Sequence, residues 1–140
     1  MSAMIKSGRF ILIFLAALIV CLGLGFAWGA SGRGGLQTAL NEAQQQLDVA
    51  EARGQILDAR VSLYTNNFGD ASRHFEDAKA ALRRVKSRYQ DAGRSDAASR
   101  VDAALGHVEE GQRLAGKLDS SANAKAGDAL DALKLASAKQ

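Results

Sequence analysis

The sequence predicts an all-α protein, with a single N-terminal transmembrane helix followed by an antiparallel hairpin or bundle of about four helices. Three observations carry that reading. No proline occurs in 140 residues and alanine is abundant, which favours long uninterrupted helices. Residues Phe10 to Ala30 read FILIFLAALIVCLGLGFAWGA, an apolar run without a single charge. Beyond it, small and apolar residues recur in alternating steps of four and three, the spacing of a helix that packs along one seam.

The apolar run comes first in the chain. At about 1.5 Å rise per residue it is long enough to cross a hydrocarbon core of roughly 30 Å as one helix. Its twelve Phe, Ile, Leu and Val residues face no opposing charge, and each favours insertion by roughly 0.3–0.6 kcal/mol. Lys6 and Arg9 precede it, whereas Arg33 is the one basic residue close behind it and Arg53 the next. Cationic flanks stay on the cytoplasmic side. Residues 1–9 are therefore expected in the cytoplasm, 10–30 in the cell (inner) membrane and 36–140 outside it, in the periplasm of a Gram-negative cell. Residues 31–35, with Gly32, Gly34 and Gly35, read as a hinge between the two parts.

The same flanks suit a secretory signal, but the run is longer than the roughly 7–15-residue apolar core of such a signal. Trp28 also stands where cleavage after Ala30 needs a small residue, though a cut after Ala27 or Gly29 stays open. Cys21 follows Val20 rather than the small residue that lipid attachment needs, and reads as a free thiol. A single cysteine forms no intrachain disulfide.

Within the span Ala17, Cys21, Gly25 and Gly29 recur every fourth residue and line one ridge, with a GxxxG element at Gly25 to Gly29. Small residues let a second helix approach to backbone contact. Trp28 at one end, with Lys6 and Arg9 at the other, would anchor the span at the two interfaces.

Charge excludes one class of partner. Lys6, Arg9 and Arg33 account for the whole net charge of +3, leaving fifteen basic against fifteen acidic residues from Gly34 onward. Nucleic-acid binding needs a net basic footprint, so it is not expected. The densest basic stretch is Arg83, Arg84, Lys86 and Arg88. It reads as a contact for an acidic partner or lipid headgroups, or as a solvated helix face paired in part with Glu76 and Asp77.

The periodic part begins at Leu36 and steps through Leu40, Ala43, Leu47, Ala50, Gly54, Leu57, Val61, Tyr64 and Phe68, predicting a helix to about Thr65. Asn66 to Asp70 form the first turn, with Asp70 expected to cap the next helix. That helix is expected over 71–92 with the seam Ala71, Phe75, Ala78, Leu82, Val85 and Tyr89. Tyr64 and Phe68 complete this hairpin core. Gly93 should end the helix and Ser95 or Asp96 start the next. The third soluble helix carries Ala97, Val101, Ala104, Val108, Gly111, Ala115 and Leu118, flanked by Leu105 and Leu114. After a break at 120–123 a short last helix uses Ala126, Leu130, Leu133 and Ser137. Short turns make neighbouring helices antiparallel. The many alanines predict a thin core that a partner or second copy would support.

Phe68, Ala71, Phe75 and Ala78, within the stretch NFGDASRHFEDA, fall at the spacing of the second helix of a tetratricopeptide repeat, which this stretch resembles. Tyr89 with Gly93 is similar to the end of that family's first helix. The next partial match places Ala98 only 27 residues after Ala71, with Asp102 where an aromatic belongs, whereas the repeat length is about 34. The resemblance thus covers one hairpin, and implies protein–protein interaction.

Candidate chemistry is sparse. His74 and His107 each lie on a predicted helix without a cysteine or second histidine at ligand spacing, and no phosphate-cradling glycine loop is visible. No enzyme activity, cofactor, metal or small-molecule substrate is expected. The reading that fits is an accessory or scaffolding subunit of a larger membrane complex, with other membrane proteins and the lipid bilayer as partners. Two alternatives are a membrane-anchored module that recruits a soluble protein through its hairpin, and an envelope spacer that forms a homo-oligomer along the seam.

Overall fold

The computed structural model describes the backbone of residues 2–138 and the side chains of Leu15, 17–22 and 34–138. These residues form four α-helices: α1 (Ser2–Tyr64), α2 (Phe68–Asp91), α3 (Ser95–Ala115) and α4 (Ala122–Ser137). Two compact units are present, residues 1–42 and residues 43–140.

The first unit is helical from Ser2 onward. Helical backbone runs through 31–35, so the expected glycine hinge is not a break; Thr38 Oγ1 donates to the Gly34 carbonyl at 3.0 Å, one turn back. Glycine costs a helix about 1 kcal/mol relative to alanine, which neighbouring turns can absorb. Among the described residues no helix is long and apolar enough to cross a membrane. Of the Phe10–Ala30 run, the described side chains Leu15 and 17–22 are exposed, and the rest of the expected span lies outside the described side chains.

The second unit is an antiparallel array of residues 43–64, α2, α3 and α4. Polar contacts fix the order of neighbours. Asp48 meets Arg84 and Arg88 while Gln55 meets His74, so numbers rise on α1 as they fall on α2. Lys86 pairs with Asp102 at 2.7 Å and Gln112 donates to the Ser72 carbonyl at 3.2 Å, which sets α2 against α3. Arg100 donates to the Leu135 carbonyl at 2.9 Å, setting α3 against α4. Arg60 Nε donates to Asn123 Oδ1 at 2.8 Å, so the start of α4 also touches the end of α1.

More than half of the core positions are alanine. Large side chains are concentrated on α2, where Phe75, Leu82, Val85 and Tyr89 are all buried. Val101 and Val108 from α3, Ile56 from α1 and Leu133 from α4 pack into the same cluster. Gly111 on α3 seats the Phe75 ring: a Cβ there would stand 3.0 Å from Cζ, closer than the ring can tolerate without moving. The small residue on one helix and the large one on its neighbour form a single interlocking contact.

All three turns close in the same way. Asn67 N–H donates to the Ser62 carbonyl and Asn66 N–H to Leu63; Arg94 donates to Tyr89 and Gly93 to Gln90; Asp119 donates to Leu114 and Leu118 to Ala115. Each is the paired closure of a Schellman turn, with one residue in left-handed backbone. Those residues are Asn66 at φ 57°, Gly93 at φ 70° and Leu118 at φ 59°. Asparagine and glycine suit this conformation, whereas leucine pays a steric penalty of about 1–2 kcal/mol. Leu118 was expected on the third seam; the structure instead ends α3 at Ala115 and leaves Leu118 70% exposed in the turn. α2 likewise begins at Phe68, not Ala71, because Asn67 rather than Asp70 is its cap: Asn67 Oδ1 accepts from Asp70 N–H at 3.2 Å.

Candidate functional site

The two faces of residues 43–64 form the most informative surface. The face turned into the second unit carries Asp48, Ala52, Ile56, Ala59 and Leu63. The four–three seam predicted as the packing face points outward instead. Leu47 is 68% exposed, Leu57 40%, Val61 61% and Tyr64 69%. Tyr64 therefore does not belong to the hairpin core. Asn123 and then Arg60, beside its hydroxyl, lower the phenol's pKa while the ring stays in the open. The reason for the difference is shape: Ala52 and Ala59 allow close approach to α2, and Ile56 and Leu63 join the same core cluster.

The remaining hairpin-core residues lie where the periodicity places them. Ala71, Phe75, Ala78, Leu82, Val85 and Tyr89 are buried, and Phe68 is half-buried against the same cluster. Arg94 lies 4.6 Å from the centre of the Tyr89 ring, a cation–π contact that covers the end of α2. Burial raises the Tyr89 phenol, with Arg94 acting against it.

The basic stretch divides over three surfaces. Arg84 and Arg88 turn toward Asp48, whose side chain is nearly buried; Arg84 also meets Glu51 at 2.8 Å, and Arg88 donates to Gln44 Oε1 at 3.2 Å. Glu51 and Asp48 together raise the Arg84 pKa. Lys86 is taken by Asp102 on α3, and Arg83 is exposed. Glu76 pairs with Lys79 at 2.6 Å; that contact and a hydrogen bond from Gln112 lower its pKa. The Asp48 node was not foreseen. Its signal in the sequence is an acid one turn before the apolar stripe Ala52, Ile56, Ala59, with two arginines four apart on the next helix.

Of the expected membrane ridge, Ala17 and Cys21 are exposed, while Gly25 and Gly29 lie outside the described side chains, as do Lys6, Arg9 and Trp28. His74 Nδ1 lies 2.9 Å from Gln55 Oε1, and His107 Nδ1 lies 4.0 Å from Asp128. Among the described residues no three His, Cys, Asp or Glu side chains converge as a metal site would require. An open hollow beside the α2–α3 turn is lined by Lys86, Gln90, Gly93, Ser95, Ala98, Ser99 and Asp102, and its two charged groups neutralise each other. What this arrangement offers is surface for packing, the exposed apolar stripe above all. Comparison with protein-family models, with curated proteins and with solved structures finds no match.

Proposed function

We propose that the protein is a non-catalytic, single-pass accessory or scaffolding subunit of a larger membrane assembly. Its N-terminus would lie in the cytoplasm and its helical unit on the outer, periplasmic face. The observation that carries this reading is the uncharged run Phe10–Ala30, of bilayer-spanning length, flanked by Lys6 and Arg9. The ridge Ala17, Cys21, Gly25 and Gly29 supplies a surface for another membrane helix. The second unit supports the same reading, because it spends its large side chains on α2 and leaves Leu47, Leu57 and Val61 outside.

A spacer that oligomerises along its seam is the second reading, favoured by that exposed stripe. Recruitment through a tetratricopeptide-like hairpin is a third reading, in which the exposed residues of the hairpin would hold the partner while Ala71, Phe75 and Ala78 lie in the core. Extraction of the tagged full-length chain in a mild detergent, followed by mass measurement, separates these readings. A large species with other membrane proteins supports the subunit. A homo-oligomer without companions supports the spacer. Release of the chain from membranes by alkaline carbonate would refute both.

A further inference from the structure

We infer that residues 43–64 pair in parallel with the same segment of a second copy, as a short two-stranded coiled coil. The stripe already has the required geometry. Leu47, Gly54 and Val61 take one set of core positions and Ala43, Ala50, Leu57 and Tyr64 the other, in unbroken steps of three and four. None of the seven is buried within the chain. Ala50 and Gly54, neighbours at the middle of the stripe, let two backbones approach, and Leu47, Leu57 and Val61 pack to either side.

Charge selects the occupant and its direction. The charged residues flanking the stripe are Arg53 and Arg60 on one side and Glu51 and Asp58 on the other. Two are already engaged within the chain, Glu51 by Arg84 and Arg60 by Asn123. Arg53 and Asp58 are exposed and make no ion pair among the described residues. They stand five residues apart, the offset at which flanking residues of two parallel, in-register helices meet. A symmetric pair therefore gains Arg53–Asp58 twice. An antiparallel pair sets each flank against its own kind, basic against basic and acidic against acidic, and loses both contacts. A second copy of this chain in parallel is the partner that satisfies the unpaired charges and covers the stripe together. The inference does not rest on membrane insertion.

The test uses the full chain in mild detergent with Cys21→Ser, adding Leu57→Cys at the symmetric core position. Oxidation with copper phenanthroline should give a covalent dimer, and Gly106→Cys, on the open surface of α3, should give at least tenfold less. Adding Asp58→Arg should reduce the Leu57→Cys dimer severalfold, and adding Arg53→Asp to that chain should restore it. Circular dichroism should be unchanged throughout, since both charged residues are exposed. Equal cross-linking at the two cysteines overturns the interface, and a dimer indifferent to the charge swap overturns the parallel register. A chain that fails to partition into membranes yet cross-links in this pattern removes the proposed function and leaves the inference standing.

Discussion

Residues 43–64 of α1 and the whole of α2 lie side by side in the second unit, and both carry an apolar seam in four–three steps. They use it oppositely. α2 buries its seam, so Phe75, Leu82, Val85 and Tyr89 form the centre of the core. α1 turns its seam to solvent and packs through Ala52, Ile56, Ala59 and Leu63, with Asp48 one turn before them. Apolar periodicity thus marks a packing face without saying whose face it meets. α1 meets the large side chains of α2 with Ala52 and Ala59 as well as Ile56 and Leu63. Leu47, Leu57 and Val61 stay exposed on the opposite face.

Substitutions on the two helices should therefore differ in effect. The largest effect belongs to Phe75→Ala, expected to lower the unfolding free energy by about 3–5 kcal/mol because the ring is wholly enclosed. Urea unfolding reads it, and a loss below about 1 kcal/mol would remove Phe75 from the centre. Asp48→Ala should cost less, about 1–3 kcal/mol, because it leaves Arg84 and Arg88 without their shared carboxylate while both remain partly exposed. A neutral Asp48→Ala would mean that the α1–α2 contact is held by its alanines alone.

The turns give effects of opposite sign. Gly93→Leu should destabilise by about 1–2 kcal/mol and Leu118→Gly should stabilise by about 0.5–1 kcal/mol, since both positions hold left-handed backbone. Thermal unfolding of the two variants should move in opposite directions. Smallest of all is Leu57→Ala on the outward seam of α1. In the dilute limit it should change folding stability by less than about 0.5 kcal/mol. At high concentration, where a second copy binds, its melting temperature should fall below that of the parent chain. A concentration-independent loss would show that the seam packs within its own chain.

Much of the fold was legible. Helical character throughout, the turns near Asn66 and Gly93, and the buried seam of α2 follow from composition, left-handed residues and spacing. The inward face of α1 was not legible, because alanine is the commonest small residue and its stripe is hidden beside one of leucines. Asp48 on that face reads as a surface residue until Arg84 and Arg88 are brought to it from 36 and 40 residues away. Leu118 misled for a related reason: a leucine at seam spacing counts as core unless the turn closing on Leu114 is known. The small-residue ridge before residue 31 rests on sequence alone.

The even number of antiparallel segments also has a mechanical meaning. Residue 43 and Ser137 enter and leave the array at the same end, where Asp48 meets Arg88 and Leu135 meets Arg100. Tension applied between them opens the outer helices from their tips, breaking contacts one turn at a time instead of shearing them all at once. On α4, Leu133 is the only fully enclosed side chain larger than alanine. Under load the unit should lengthen stepwise from its two ends while the Phe75–Gly111 lock between α2 and α3 still holds.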